Sequence, residues 1–195
     1  MMIAVMIISI SVGLAAPGIM RAMAQRRAVE ATQRLVRLGA RARAAAMAFG
    51  RAHALHFDPA SVDPDGTMGR VDLWRGTLSR CGLNAWTTLV APGCDSSSAA
   101  TRDTCIGSLN MSEYDYGDSS SQVRLALPGS TDDAYVCFQP NGDVLYSEDG
   151  TIWTQTPPAG SHAVRFTIDQ LESGVNVGVQ RAVIFPFGTA PRIVR

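Results

Sequence analysis

Hydrophobic and polar positions along this chain change their period once, near residue 50. Residues 1–20, MMIAVMIISISVGLAAPGIM, carry no charged side chain; as a helix rising about 1.5 Å per residue they reach about 30 Å, the thickness of a bilayer's hydrocarbon core. Arginines follow this run from Arg21 and do not precede it, which predicts a retained helix and not a removed signal peptide. Beyond Met20 the apolar positions keep helical spacing. Ala22, Val29, Thr32, Val36, Ala40 and Met47 line one face, widened by Ala28, Leu35 and Ala46, and Arg26, Glu30, Arg34, Arg37 and Arg41 fill a separate sector. Gln25 and Arg43 interrupt the apolar face. Phe49-Gly50 supplies the stop. The pattern predicts one helix from Ile3 to Ala48, with a transmembrane half at 1–20 and an amphipathic half at 21–50 that needs a sheet to lie on. Pro17 removes a backbone hydrogen bond inside the apolar run, so a kink is expected between Gly13 and Pro17. Ala4, Ser11, Gly13, Ala15 and Ala16 are small enough to let neighbouring helices approach closely.

After Gly50 the pattern becomes short β-rich runs broken by turn residues. Strands are predicted at Ala52 to Phe57, Arg70 to Trp74, Trp86 to Val90, Val123 to Leu127, Ala134 to Phe138, Asp143 to Ser147, Ala163 to Ile168 and Val175 to Phe185. Pro140-Asn141-Gly142 and Glu148-Asp149-Gly150 are hairpin-type turns. A stretch rich in Ser, Asp and Gly at about 92–122 predicts a long surface loop. The expected fold class is α+β, a long N-terminal transmembrane and amphipathic helix packed on a C-terminal antiparallel β-domain at 51–195.

Charge sharpens the division. The 195 residues sum to a net charge of zero, but residues 1–51 hold eight Arg against Glu30 alone, and the remainder holds nine Arg against sixteen acids. A basic N-terminal quarter is thus joined to an acidic body. Four cysteines, Cys81, Cys94, Cys105 and Cys137, all fall in the body and lack C-x-x-C spacing, which argues against a zinc site. Disulfides are their natural use if the body lies outside the cytoplasm. Three pairings are open, and chain proximity favours Cys81 with Cys94 and Cys105 with Cys137.

Candidate chemistry is sparse. His53-x-x-His56 places two rings on opposite faces of a strand, with no third metal ligand near in sequence. Asp63-Pro64-Asp65-Gly66 lacks the alternating oxygens and closing Glu of a calcium loop and reads as a turn. No G-x-S-x-G elbow and no phosphate-binding glycine loop is present. Trp74, Trp86 and Trp153 are expected to fill the β-core. These observations lead to no catalytic residue, no cofactor and no metal, and to the expectation that the chain is not an enzyme.

The N-terminal region as a whole resembles type IV pilin-like proteins, and its second half resembles the GspH/FimT family of minor pseudopilins and minor pilins. That family closes its helix with a segment ARxEAxxRGxxVxL; here residues 42–55 keep Ala42, Arg43, Ala46, Gly50 and Leu55 and place Ala45, Phe49 and His53 where the family has Glu, Arg and Val. Residues 181–188, RAVIFPFG, are similar to the closing hairpin of the family, and residues 136–142, VCFQPNG, to its internal F-x-P-x-G turn. Family precursors begin with a basic leader, a Gly and then Phe-Thr-Leu, Ile or Leu, and Glu. Judged from Pro17, this chain begins at Met1 about where that Glu has ended, which places the expected true start upstream. The resemblance implies a structural subunit of a type II secretion pseudopilus, held in the bacterial inner membrane by a single pass with its C-terminal domain in the periplasm. Its implied partners are other pilin-like subunits of a pseudopilus or pilus, the lipid bilayer, and the prepilin peptidase. FimT-type members bind DNA through a basic C-terminal segment, and residues 188–195, GTAPRIVR, are similar to it, so Arg192 and Arg195 are candidate DNA contacts for uptake at a pilus tip.

Overall fold

The computed structural model describes residues 2–60, 62–63, 66–82, 85–86, 94, 105–114, 121–127, 133–155, 163–172, 175–177, 180–186 and 189–194; for 2–21, 24, 62–63, 66–67 and 121 it describes the backbone only. The chain opens with one helix, α1 (Met2–Phe49), closed by Gly50 in the left-handed region at φ 64°. No atom lies within 4 Å of where a Cβ on Gly50 would stand, so glycine is needed there for its backbone freedom alone. Twelve antiparallel strands follow: β1 (His53–Asp58), β2 (Val62–Asp63), β3 (Gly66–Thr67), β4 (Arg70–Arg75), β5 (Cys105–Asn110), β6 (Ser121–Ala126), β7 (Ala134–Phe138), β8 (Val144–Ser147), β9 (Ala163–Glu172), β10 (Val175–Asn176), β11 (Arg181–Pro186) and β12 (Arg192–Val194).

Two five-stranded sheets take up ten of these strands. The first has the order β5-β4-β1-β7-β8. In the second, β9 is flanked by β6 on one edge and by β10 and β11 on the other, with β12 beyond β11. β2 and β3 form a small separate ribbon. The turns between strands follow their sequence. At Asn141-Gly142 the amide of Gly142, at φ 90°, donates to Gln139 O at 3.0 Å and links β7 to β8. After β8, Asp149 accepts hydrogen bonds from the amides of Thr151 and Ile152 and from the Ser147 hydroxyl, holding a tight loop.

The core lies between the sheets and includes α1. Phe57 of β1 stacks on Phe166 of β9 at 3.7 Å between centroids, and Phe185 of β11 meets Phe57, Phe138 and Phe166 edge-on at 5.9, 6.3 and 5.5 Å. Ala28, Ala31, Leu35, Ala42 and Ala46 of the helix belong to the same buried cluster.

The expected α+β arrangement, a transmembrane and amphipathic helix laid on a finished domain, is therefore corrected. The molecule is mostly β, ten antiparallel strands in two sheets plus a ribbon, and the stretch from Ala28 to Ala46 is a wall of the shared core. The expectation of a single-pass inner-membrane protein is corrected as well: among the described residues, no helix is long and apolar enough to cross a membrane. The physical reason is charge, since residues 25–49 carry Arg26, Arg27, Glu30, Arg34, Arg37, Arg41 and Arg43. The side chains of the apolar run at 1–20, with Gly13 and Pro17, lie outside the described residues.

The helix buries one flank of the face its periodicity predicts, Thr32 with Ala28, Leu35 and Ala46, and leaves the other flank open. Ala28, Ala31, Thr32, Leu35, Gly39, Ala42 and Ala46 are buried; Val29 and Val36 are half-buried, and Ala22, Ala40 and Met47 are exposed. The centre of the seam lies about 100° around the axis from the line of Val29, Val36 and Met47. Small side chains decide this, because α1 must approach both sheets at once. A Cβ on Gly39 would stand 2.5 Å from Cε1 of Phe185 and 3.3 Å from Cγ of Pro191, so the ring occupies the space that glycine leaves.

Three strand expectations change. Residues 87–90 of the run expected from Trp86 lie outside the described residues, and Trp86 itself is in no strand. The run expected from Val175 to Phe185 divides into β10 and β11. The loop expected at 92–122 contains β5 and a 3-10 turn, Met111–Tyr114. β5 escapes sequence reading because Leu109 is its one buried residue, and it pairs with β4 across a register shift at Leu73/Trp74.

Candidate functional site

β1 is buried on both sides, and its alternation separates two environments. Leu55 and Phe57 face the main core; Ala54 faces a second cluster with Trp74, Tyr135 and Cys137, against which Cys81, Trp86, Cys105 and Trp153 pack. No helix residue belongs to this second cluster. It covers the outer face of the first sheet.

Both disulfides are on this face. Cys81 pairs with Cys137 and Cys94 with Cys105, which corrects the pairing expected from chain proximity. The register gives the reason. Cys105, Trp74, Ala54 and Cys137 occupy one row across β5, β4, β1 and β7. Three inter-strand spacings, about 14 Å, separate Cys105 from Cys137, well past the Cα reach of a disulfide. Each strand cysteine is bonded instead to a cysteine outside the strands, with Cα separations of 6.3 Å for Cys81–Cys137 and 5.5 Å for Cys94–Cys105.

The neighbouring row is polar: Ser108, Asp72, His56, Tyr135 and Ser147 pair directly across all five strands. Asp72 is buried with Oδ2 at 3.0 Å from Nε of Arg70. His56 stacks on Tyr135 at 4.5 Å and sets Nε2 3.0 Å from Oδ1 of Asp133. The row holds a serine, an aspartate and a histidine but does not assemble a nucleophile with a base, because Ser108 and His56 are two strands apart, about 10 Å. Sequence reading missed it because its members come from five separate strands.

His53 has the opposite environment. It is fully buried, and its Nδ1 lies 3.0 Å from the carbonyl oxygen of Arg51, a group that only accepts, so Nδ1 carries the proton. Nε2 is buried without a hydrogen-bond partner. Burial pushes the pKa of His53 below its ordinary value, and the nearby Arg75 charge acts in the same direction. Asp63 and Gly66 pair in the β2-β3 ribbon, while Pro64 and Asp65 lie outside the described residues. Among the described residues, no group of three or more His, Cys, Asp or Glu stands close enough to hold a metal ion.

The tryptophans expected in the β-core belong to the smaller of its two clusters, on the outer face of the first sheet. Trp74 is buried; Trp86 and Trp153 are half-buried at 6.3 Å from one another, and Tyr135 meets Trp153 at 6.4 Å. The three indole N–H groups are buried without an acceptor. Ile152, next in the chain to Trp153, is 72% exposed, and Leu78, whose carbonyl accepts from the amide of Ala52, is 50% exposed. Carboxylates border the aromatic row. The Tyr135 hydroxyl is pushed well above the usual tyrosine range by burial and then by the charges of Asp133, Asp58 and Asp149, and Glu148 is exposed next in the chain.

Across the molecule, α1 presents a contrasting surface. Arg26, Arg37 and Arg41 are exposed and form no ion pair among the described residues, whereas Arg34 bridges Glu30 at 3.1 Å and Glu113 at 3.4 Å. Arg34 also lies 5.4 Å above the ring of Tyr114, a buried phenol whose pKa is raised, mainly by burial, to about 12. Met23, Met47 and Phe49 are more than half exposed along the same helix. Ala22, Met23, Gln25 and Arg26 are exposed, Arg27 is half-buried, and Ala28 is the first buried residue of the described part of α1.

Of the candidate DNA contacts, Arg192 is exposed on β12 and Arg195 lies outside the described residues. The sheet adds a residue that sequence reading missed. Arg192 pairs with Ile184, and Ile184 with Arg165, so two exposed arginines share one row of the second sheet. Compared with family models, with curated proteins and with solved structures, the chain matches none.

Proposed function

We propose that this chain is a non-enzymatic structural subunit, of the minor pseudopilin kind used in type II secretion, that joins other pilin-like subunits through α1. The observation that supports it is the exposure of large apolar side chains on α1, Met23, Met47 and Phe49, with Ala22, Gln25 and Arg26 also exposed before the helix enters the core at Ala28. Such apolar side chains, left open on a 48-residue helix, are suited to cover by another surface. The similarity of residues 42–55 to the helix-closing segment of the family supports the same reading. Gly13→Leu tests it in the full-length chain. Assembly with pilin-like partners, followed by cross-linking, is expected to fail while the thermal midpoint of the body is unchanged; assembly at the level of the unaltered chain overturns the reading.

A second reading has its own observation, the Arg165–Arg192 row. Two exposed cations about 10 Å apart on an open sheet face suit a phosphate backbone. A mobility shift with duplex DNA at low salt, lost in R165E/R192E, would favour a DNA-binding minor pilin; no shift removes this reading.

A further inference from the structure

The two most contrasting surfaces of the molecule are complementary, and the sheet keeps them apart. On one side stands the arginine stripe of α1, with Arg26 and Arg37 exposed opposite the buried seam and Arg41, also exposed, reaching to Gly107 of β5. On the other is the outer face of the first sheet, where Trp86 and Trp153 lie half-open; Asp149 holds the amide of Ile152, next in the chain to Trp153, exposed Glu148 precedes Asp149, and Asp133 bonds His56, which stacks on Tyr135 beside Trp153. Guanidinium groups stack on indole faces and pair with carboxylates, so an arginine-bearing helix fits such a face on both counts. The N-terminal quarter and the rest of the chain carry equal and opposite net charge, so the complementarity extends to the whole subunit.

Within one chain the two surfaces cannot meet. α1 packs on the side of β1 that carries Leu55 and Phe57, and the tryptophans pack on the side that carries Ala54. We propose that the outer face of the first sheet binds the arginine stripe of α1 from a second copy of this chain. The contact is head-to-tail: each copy offers a helix to one neighbour and an aromatic, acidic face to another. Such a contact does not use the same patch twice, so it produces a ring or an open chain of subunits, not a closed two-fold dimer. The inference rests on the reading of α1 as an assembly helix and names the surface that receives it.

Sedimentation velocity of the full-length chain tests this with three variants. At about 50 mM salt the unaltered chain is expected to form concentration-dependent oligomers beyond the dimer, which dissociate at about 500 mM, where the screening length is about 4 Å. R26E/R37E and E148R, both on exposed side chains without described partners, are each expected to weaken association about tenfold or more with an unchanged circular dichroism spectrum. Mixed in equal amounts, the two variants are expected to pair again, because the unaltered helix of E148R meets the unaltered face of R26E/R37E. A monomer at every concentration, a closed dimer, unaltered association in both charge variants, or a mixture that stays dissociated each overturns the proposal. Gly13→Leu separates the two levels. If it abolishes assembly with pilin-like partners while the charge variants self-associate like the unaltered chain, the assembly helix stands and this docking face falls; if it leaves that assembly intact, the assembly helix falls.

Discussion

Gly39 and His53 carry more of this structure than their size suggests. At Gly39 any larger side chain must displace Phe185, which is held edge-on by three other phenylalanines. Gly39→Val is expected to lower stability by about 1–3 kcal/mol through overpacking, read as a shift of the denaturant midpoint, while Gly82→Ala, in open space, is expected to change little. His53 makes stability depend on pH. Its folded pKa is depressed, so the unfolded chain binds a proton that the folded chain refuses. Stability is therefore complete above about pH 6.5 and falls as the pH drops below it, until the folded histidine also charges. Asp149, held below the usual carboxylate range chiefly by the Thr151 hydroxyl and the amides of Thr151 and Ile152, withdraws its contribution only below about pH 4. Urea midpoints between about pH 8 and pH 5 should slope for the unaltered chain and flatten in His53→Gln. An equal slope in both would remove His53 as the cause.

At the scale of elements, periodicity and turn chemistry placed β1, β4, β6, β7 and β8 to within two residues of their observed ends, and Phe49-Gly50 marked where α1 stops. What it could not supply was which of two adjacent faces of α1 would be buried. Val29, Val36 and Met47 are the more hydrophobic choice, but the line that packs between the two sheets is Ala28, Leu35, Gly39, Ala42 and Ala46, small except at Leu35. The disulfides escaped for a related reason. Their pairing depends on a row across four strands, and strand order is not written in local spacing. Chain-entropy arguments give about 4 kcal/mol for Cys81–Cys137, at a sequence separation of 56, and about 3 kcal/mol for Cys94–Cys105, at a separation of 11. C81S/C137S should thus lower the thermal midpoint more than C94S/C105S. It should also change the tryptophan fluorescence, since Cys81 and Cys137 pack in the cluster that holds Trp74, Trp86 and Trp153.

For the whole molecule, the join between helix and sheet has a mechanical consequence. Only Gly50, Arg51 and Ala52 separate the end of α1 from β1, and β1 is the middle strand of its sheet, paired along its length with β4 on one side and with β7 on the other. A pull on the helix therefore enters the sheet at its centre and along a strand axis. Two hydrogen-bonded ladders then resist in shear, so their bonds must fail together instead of opening one at a time from an edge. Cys81–Cys137 ties the receiving strand β7 to the chain that follows β4, spreading the same tension further. In a force-extension experiment anchored at the two termini, rupture of the first sheet should occur at higher force with this disulfide closed than in C81S/C137S. A body linked in this way can transmit tension from one end of an assembly to the other without unravelling.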